Sequence, residues 1–454
     1  MSNFRLLRQF PLRWIFWWVL LPNLAIIAMW AIGGPAMSEP ILACGIFALL
    51  VSQSRNRSVR VAGVLAIFVA LLLTYMARSF NLGYDKILLS SAYLDDLNPL
   101  GSPEYAAAGL VLVVSLVLTL RYAPHTARFH SREQMLLALA GVALVVNADA
   151  MATAGTRGSY RASAPAGTPI DSAVRQNNIA PDNVTARNLI VIIVEAMGVP
   201  NNAEDRALFD RAWSPSRWSS RYEVRTGSSA YFGATTNAEM REWCGVWADY
   251  ASYDFDHAHC LPQAFREAGF RTLSMHGFDG GFFDRQEWYP KLGFDKRYFS
   301  AELMQRGAGS CGGVFPGACD TDVPRLIAQE LRNSGKQRNL VYWLTLNSHL
   351  PVVAEDSLGT GHCPLGTPEW RESYPSLCRS YMLLQQLSDA LAGEIMKTDF
   401  PEADILIVGD HMPPFFQRSM RSRFDNAYVP WIYLRNRAAL ERHGASAPLK
   451  AQQS

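Results

Sequence analysis

The chain has 454 residues, of which 49% are hydrophobic and 18% charged, and its formal net charge is +2. A balance so near neutrality leaves no electrostatic footprint for a nucleic acid. The apolar residues crowd before residue 150, and six of the seven cysteines fall after residue 240, so a uniformly soluble, reduced cytosolic protein is not the expectation.

Taken in order, five apolar stretches come first, at 14–33, 37–53, 61–77, 106–120 and 135–146, almost free of internal charge. The second and fifth are short against the roughly 20 residues a spanning helix needs, yet five together point to a membrane domain rather than a buried bundle. Arg5, Arg8 and Arg13 precede the first stretch. Arg55, Arg57 and Arg60 separate the second from the third, and Arg121, Arg128 and Arg132 separate the fourth from the fifth. The connection 78–105 carries only Arg78 and Lys86. This asymmetry places the N-terminus in the cytoplasm and, after an odd number of spans, the rest of the chain outside. A cleaved leader is not expected, because the first run is long and four more follow. The stretch 78–105, with Asp95, Asp96 and Pro99, is too polar to span and reads as an interfacial helix or a plain loop.

Residues 152–178 are rich in Ala, Gly, Ser, Thr and Pro and read as a linker, which divides the chain into a transmembrane domain at 1–151 and an outer domain at 179–454. In the outer domain, strand-like runs at 189–194, 272–276, 340–346, 405–408 and 431–434 alternate with helix-like segments at 261–268, 323–333 and 377–396. Leu383, Leu384, Leu387 and Leu391 keep helical spacing in the last of these. The alternation predicts an α/β domain with a mainly parallel sheet. The tail from about Arg437 is expected to lack order. Cys244, Cys260, Cys311, Cys319, Cys363 and Cys378 suit an oxidising compartment, and pairing of sequence neighbours is the preferred pattern among the many available.

Two of the strands end on charge. The aliphatic run 189–194 delivers Glu195, and the run 403–409 delivers Asp410 and His411. Ligands sit beyond the carboxyl ends of parallel strands, so these ends can face one another and offer oxygen and nitrogen ligands to a divalent metal. An N-capping Asp with a surface His is the alternative for the second pair. Between the two runs, Thr235 follows Gly233 and Ala234 and precedes a helix, where a metal could activate its hydroxyl and backbone N–H groups could meet an anion. A capping Thr in a polar loop is the alternative.

In order, Glu195 after its strand, Gly-Ala-Thr-Thr-Asn-Ala-Glu at 233–239, His276-Gly with Phe-Phe-Asp-Arg at 282–285, Leu-Gly-Phe-Asp at 292–295, Asn-Ser-His-Leu-Pro at 347–351 and Gly-Asp-His at 409–411 make a pattern. It resembles lipoteichoic-acid synthase and its branch of the sulfatase and alkaline-phosphatase superfamily, which includes phosphoglycerol and phosphoethanolamine transferases. The resemblance implies an N-terminal five-helix transmembrane domain and an alkaline-phosphatase-like (sulfatase) extracytoplasmic domain, held in a bacterial inner membrane with the catalytic part in the periplasm. It implies Thr235 as nucleophile, with Glu195, Asp410 and His411 joining it around one divalent metal, Zn or Mn, a second metal being left open. His276, Arg285 and His349 would contact phosphate or head group.

The implied reaction takes a phosphoglycerol or phosphoethanolamine group from phosphatidylglycerol or phosphatidylethanolamine, through a phospho-threonine, to an envelope glycan or glycolipid such as lipopolysaccharide. The chain departs from the pattern at Phe283, where the synthase has Trp, and at Met-Pro-Pro in 412–414. Only His443 follows His411, which weakens the case for ethanolamine and for a second metal. Two other readings stay open: a metal-dependent phosphodiesterase or sulfatase-type hydrolase, and a non-catalytic, membrane-anchored envelope assembly protein. The modified Cys or Ser of sulfatases finds no counterpart, since Trp213 stands before Pro215 and Arg217, and Ala264 takes the Arg place after Cys260 and Pro262.

Overall fold

The computed structural model describes residues 11–80, 84, 103–125, 128–154 and 162–446. It separates into two compact units, Met1–Pro165 and Ala166–Ser454. Among the described residues of the first unit, three helices are long and apolar enough to cross a membrane: Arg57–Ser79, Glu104–His125 and Arg132–Thr153. A fourth apolar helix, Ser38–Ser52, is shorter. The first apolar stretch is instead a series of short pieces, Leu12–Ile15, Phe16–Leu20, Leu24–Met29 and Trp30–Ile32. Pro22 interrupts it because proline has no N–H to continue a helical ladder. Trp14, Trp18, Ile41, Phe68 and Val142 share this unit's core. The carboxylate of Asp149, buried there, accepts from Trp30 Nε1 at 2.9 Å, Met37 N at 2.7 Å and Ser38 Oγ at 2.8 Å. Most of the connection read as an interfacial helix or loop, 81–83 and 85–102, lies outside the described residues.

The second unit is built on a seven-stranded sheet in the order β2-β9-β8-β1-β7-β3-β4. The strands are β1 (Asn188–Val194), β2 (Tyr222–Ala230), β3 (Arg271–His276), β4 (Lys296–Tyr298), β7 (Asn339–Leu344), β8 (Ala403–Gly409) and β9 (Tyr428–Asn436). A separate two-stranded hairpin consists of β5 (Ser310–Cys311) and β6 (Gly317–Ala318). β8, β1, β7, β3 and β4 run parallel, whereas β9 is antiparallel to β8 and β2 to β9, so the sheet is mixed and mainly parallel. The five expected strands are all in it.

β1, β7 and β8 are buried along their whole length, which is why their runs are continuously apolar instead of alternating. Ile190, Ile192, Val341 and Trp343 pack with Leu384, Leu387 and Leu391 on one face. Leu189, Val191, Tyr342 and Leu344 pack with Phe265 and Trp243 on the other. The helices Leu261–Glu267, Val323–Asn333 and Pro375–Ile395 fall where periodicity places them.

Two segments differ from expectation. Within the stretch read as linker, Ser172 caps the helix Ala173–Gln176, and Val174 enters the core of the second unit. The tail does not lose order at Arg437 but forms a helix to Ser446, because Asn436 Oδ1 accepts Ala439 N at 3.1 Å and caps its start. Disulfides join Cys244 to Cys260, Cys311 to Cys319 and Cys363 to Cys378, leaving Cys44 free.

Candidate active site

Strand register builds the site. In the parallel pair β1·β8, Val194 stands opposite Gly409, so the next residues, Glu195 and Asp410, leave adjacent strands side by side. A Cβ at position 409 would lie 2.1 Å from the Met197 carbonyl oxygen, so only glycine lets β8 end this close to the turn after Glu195. That turn is strained: Ala196 has φ of 55°, a left-handed conformation that costs a non-glycine residue about 1–2 kcal/mol. It is held because Ala196 N donates to Asp410 Oδ1 at 2.8 Å, Glu195 N to Thr345 Oγ1 at 2.9 Å and Ser348 Oγ to the Glu195 carbonyl at 2.6 Å.

Thr235 is the first residue of the helix Thr235–Trp243, whose start is fastened by Asn237 Oδ1 accepting Ala234 N at 3.0 Å. Its Oγ1 lies 3.0 Å from both Glu195 Oε2 and Asp410 Oδ2. One hydroxyl proton cannot serve two carboxylates at once, so this buried cluster concentrates oxygen lone pairs and negative charge. Burial and the charge of Asp410 hold the Glu195 carboxyl well above the usual carboxylate range, against the hydrogen bond from Thr235.

His411 closes the group. Its Nδ1 is 3.0 Å from the Met412 carbonyl, which can only accept, so Nδ1 carries the proton and Nε2 is left facing Asp410 Oδ2 at 3.3 Å and Glu195 Oε1 at 3.5 Å. Among the described residues, Glu195 Oε1 and His411 Nε2 are buried without a hydrogen-bond partner. Two carboxylates, a hydroxyl and an imidazole nitrogen converging with orphaned acceptors fit a divalent cation, which would offset the repulsion that burial magnifies.

His276 and His349 repeat the tautomer. Each has Nδ1 on a backbone carbonyl, Leu344 O at 3.1 Å and Leu350 O at 2.7 Å, and presents Nε2. Burial, with the positive charge of Arg285, pushes His276 down to about 3. Burial is also the main cause that brings His349 down to about 4. Both rings are therefore neutral near pH 7. His349 Nε2 is 4.0 Å from Glu195 Oε1.

Arg285 is buried, but its guanidinium is largely committed. Nε and Nη2 donate to Glu239 Oε2 at 3.3 and 3.1 Å, and Nη1 donates to the Phe282 carbonyl at 3.2 Å. Glu239 Oε1 accepts from the hydroxyls of Tyr289 and Tyr342. Part of the Arg285 fork is thus taken by Glu239, and Glu239, Tyr289 and Tyr342 are the residues that sequence reasoning missed. Glu239 lies one helical turn beyond Thr235, so the 233–239 motif held that signal.

Arg241, on the same helix and buried, pairs with Glu242 at 2.7 Å and donates to the main-chain carbonyls of Gly409, Asp410 and Ala230. Glu242 in turn accepts Ala173 N at 3.3 Å and Val174 N at 3.0 Å.

Residues 187–397 match the family model described as Sulfatase. Among curated proteins the chain has no match. Similar solved structures include the lipoteichoic acid synthase LtaP from Listeria monocytogenes, at 14% identity over 56% of this chain and 66% of that one, with a TM-score of 0.43. The C-terminal periplasmic domain of EcEptC from Escherichia coli is 14% identical over 57% of this chain and 75% of its own, with a TM-score of 0.37. The Streptococcus pyogenes phosphoglycerol transferase GacH, in complex with sn-glycerol-1-phosphate, is 15% identical over 55% and 69%, with a TM-score of 0.37. The chain therefore spans less than two thirds of the Listeria structure. The family match takes in Glu195, Thr235 and Arg285 and stops just before the strand that brings Asp410 and His411 to them, so over residues 187–397 the chain is similar to the sulfatase family.

Proposed function

We propose that this protein is a phosphotransferase that moves a phospho-alcohol group, phosphoglycerol or phosphoethanolamine, from a membrane phospholipid to a cell-envelope glycan or glycolipid by way of Thr235. The observation that carries the reading is the Thr235 hydroxyl, first on its helix and 3.0 Å from two carboxylates. In the first step Thr235 Oγ1 forms a bond to the donor phosphorus as its proton passes to Glu195, and the bond to the diacylglycerol oxygen breaks, that oxygen taking up the proton as diacylglycerol leaves. In the second, an acceptor hydroxyl bonds to the same phosphorus, giving its proton to Glu195, and the Thr235 oxygen leaves and takes that proton back.

Glu195, Thr235, Asp410 and His411 would hold one divalent cation, Zn or Mn, which supplies positive charge favouring the ionised hydroxyl and neutralising charge on the phosphoryl oxygens. Glu195 Oε2, 3.0 Å from Thr235 Oγ1, is placed to take its proton. Arg285, held in place by Glu239, keeps N–H groups for a phosphoryl oxygen. His276 and His349, neutral and offering Nε2, suit the hydroxyl or ammonium protons of the head group rather than its phosphate oxygens. The N-terminal unit fits an enzyme whose donor and diacylglycerol product both live in a bilayer. Five spans at 1–151, a linker at 152–178 and a catalytic domain at 179–454 in the periplasm complete the reading.

Incubating the full chain, metal-loaded, with phosphatidylglycerol or phosphatidylethanolamine and measuring intact mass tests it. A gain of one head group in wild type, absent in Thr235→Ala, is expected. No adduct from either lipid, with head group released to water, would make the protein a phosphodiesterase instead.

A further inference from the structure

We infer that the disulfide-closed hairpin β5–β6, with Asp320 just beyond it, is the part that positions His276 and His349, the hairpin strand holding the end of β3 after His276 and Asp320 acting as the positioning residue for His349. The role of the two histidines as head-group contacts rests on the reading above; the geometry does not.

Two residues per strand are too few to form a stable hairpin alone, and here Cys311–Cys319 closes it. Its return strand is bonded to the residue after His276: Ala318 N donates to the Gly277 carbonyl at 2.8 Å. The approach demands glycine, because a Cβ at position 317 would lie 2.0 Å from that carbonyl oxygen.

Two residues past the hairpin's end, the buried carboxylate of Asp320 takes hold of the segment that follows β7. Its Oδ2 accepts Leu346 N at 2.8 Å and Asn347 N at 2.7 Å, and Asp320 N donates to Asn347 Oδ1 at 2.8 Å. The next residues are the working ones: Ser348 donates to the Glu195 carbonyl, and His349 N closes a turn onto the Leu346 carbonyl at 2.9 Å. Phe315, at the hairpin's tip, lays its ring 4.2 Å from that of His349. One short covalently closed loop thus holds the ends of β3 and β7 together and buttresses the His349 ring. None of its residues is among the groups assigned to the metal or to Arg285.

The test uses the full chain in lipid nanodiscs with 15N-labelled histidine. In wild type, His276 and His349 are each expected to show one neutral tautomer protonated at Nδ1. Asp320→Ala, which orphans the N–H groups of Leu346 and Asn347, should abolish the single-tautomer signature of His349 and lower the transfer rate about 10- to 100-fold, the range for lost supporting contacts. Asp320→Asn keeps an acceptor oxygen in place and should restore both. Phe315→Leu should shift the His349 signal and leave that of His276 alone.

Wild-type histidine signals in Asp320→Ala would overturn the proposal, whether or not transfer falls. If Asp320→Ala does not fold, an unchanged His349 signal in Phe315→Leu overturns it. Should wild type transfer no head group, the proposed reaction fails while the histidine spectra still decide the hairpin's role.

Discussion

Arg241 donates from Nη1 to the main-chain carbonyl of Asp410 at 3.4 Å, so the helix that begins at Thr235 and the residue that follows β8 share a brace. Nη2 reinforces it on the Gly409 carbonyl at 3.0 Å, and the charge is balanced by Glu242, with both side chains fully buried. Replacing Arg241 by Met leaves Glu242 buried and unpaired. The expected loss of stability is about 3–5 kcal/mol, read from urea unfolding midpoints. Arg241→Met/Glu242→Gln, which removes both charges, should recover a large part of it.

Glu239 sets Arg285 through a buried ion pair and holds two tyrosine hydroxyls on its other oxygen. Glu239→Gln keeps the shape and removes the charge that orients the fork. Head-group transfer should fall about 10- to 100-fold with metal affinity unchanged, as measured by steady-state kinetics beside metal titration calorimetry.

Metal and carboxylates should trade places as stabilisers. With Zn or Mn at 100 times its Kd, wild type should gain about 2.7 kcal/mol over the metal-free form, while Glu195→Gln should gain far less. In chelator the order reverses: Glu195→Gln relieves repulsion with Asp410 and should be at least as stable as wild type. Thermal melts with and without chelator check both arms.

His276 carries a pH signature. Its folded value of about 3 lies below the ordinary 6.5, so the unfolded chain binds the proton more readily between those limits. Stability from this group is complete above pH 6.5 and is lost as pH falls toward 3, by up to about 4–5 kcal/mol at ~1.36 kcal/mol per pH unit. Subtracting the urea-midpoint profile of His276→Gln from that of wild type between pH 7 and pH 4.5 should isolate this slope and cancel the carboxylates that titrate in the same range.

Much of the sheet was legible because β1, β7 and β8 are buried on both faces and their apolar runs are unbroken. β2 was not, since an edge strand with exposed Thr226, Gly227 and Ser228 reads as a polar loop. Charged residues ending apolar runs drew the eye to Glu195, Asp410 and His411, and the structure sets these beside Thr235. Glu239, Arg241 and Asp320 escaped notice because a buried charge shows its purpose only through partners distant in the chain. Glu239 and Tyr342 are 103 residues apart. The break in the first apolar stretch was readable at Pro22, although hydropathy alone runs straight through it.

The parallel seam between β1 and β8 joins Asn188 to Ala403, and nothing nearer in the chain can substitute for it. Glu195 is made early and must wait for a strand more than 200 residues away before Asp410 and His411 reach it, a separation that slows pairing. A newly made chain that lacks β8 holds Glu195 and Thr235 but neither Asp410 nor His411 of the four groups proposed to hold the cation. If the proposed cation binds there, its capture is a late event in the protein's maturation and a report that the central sheet is complete.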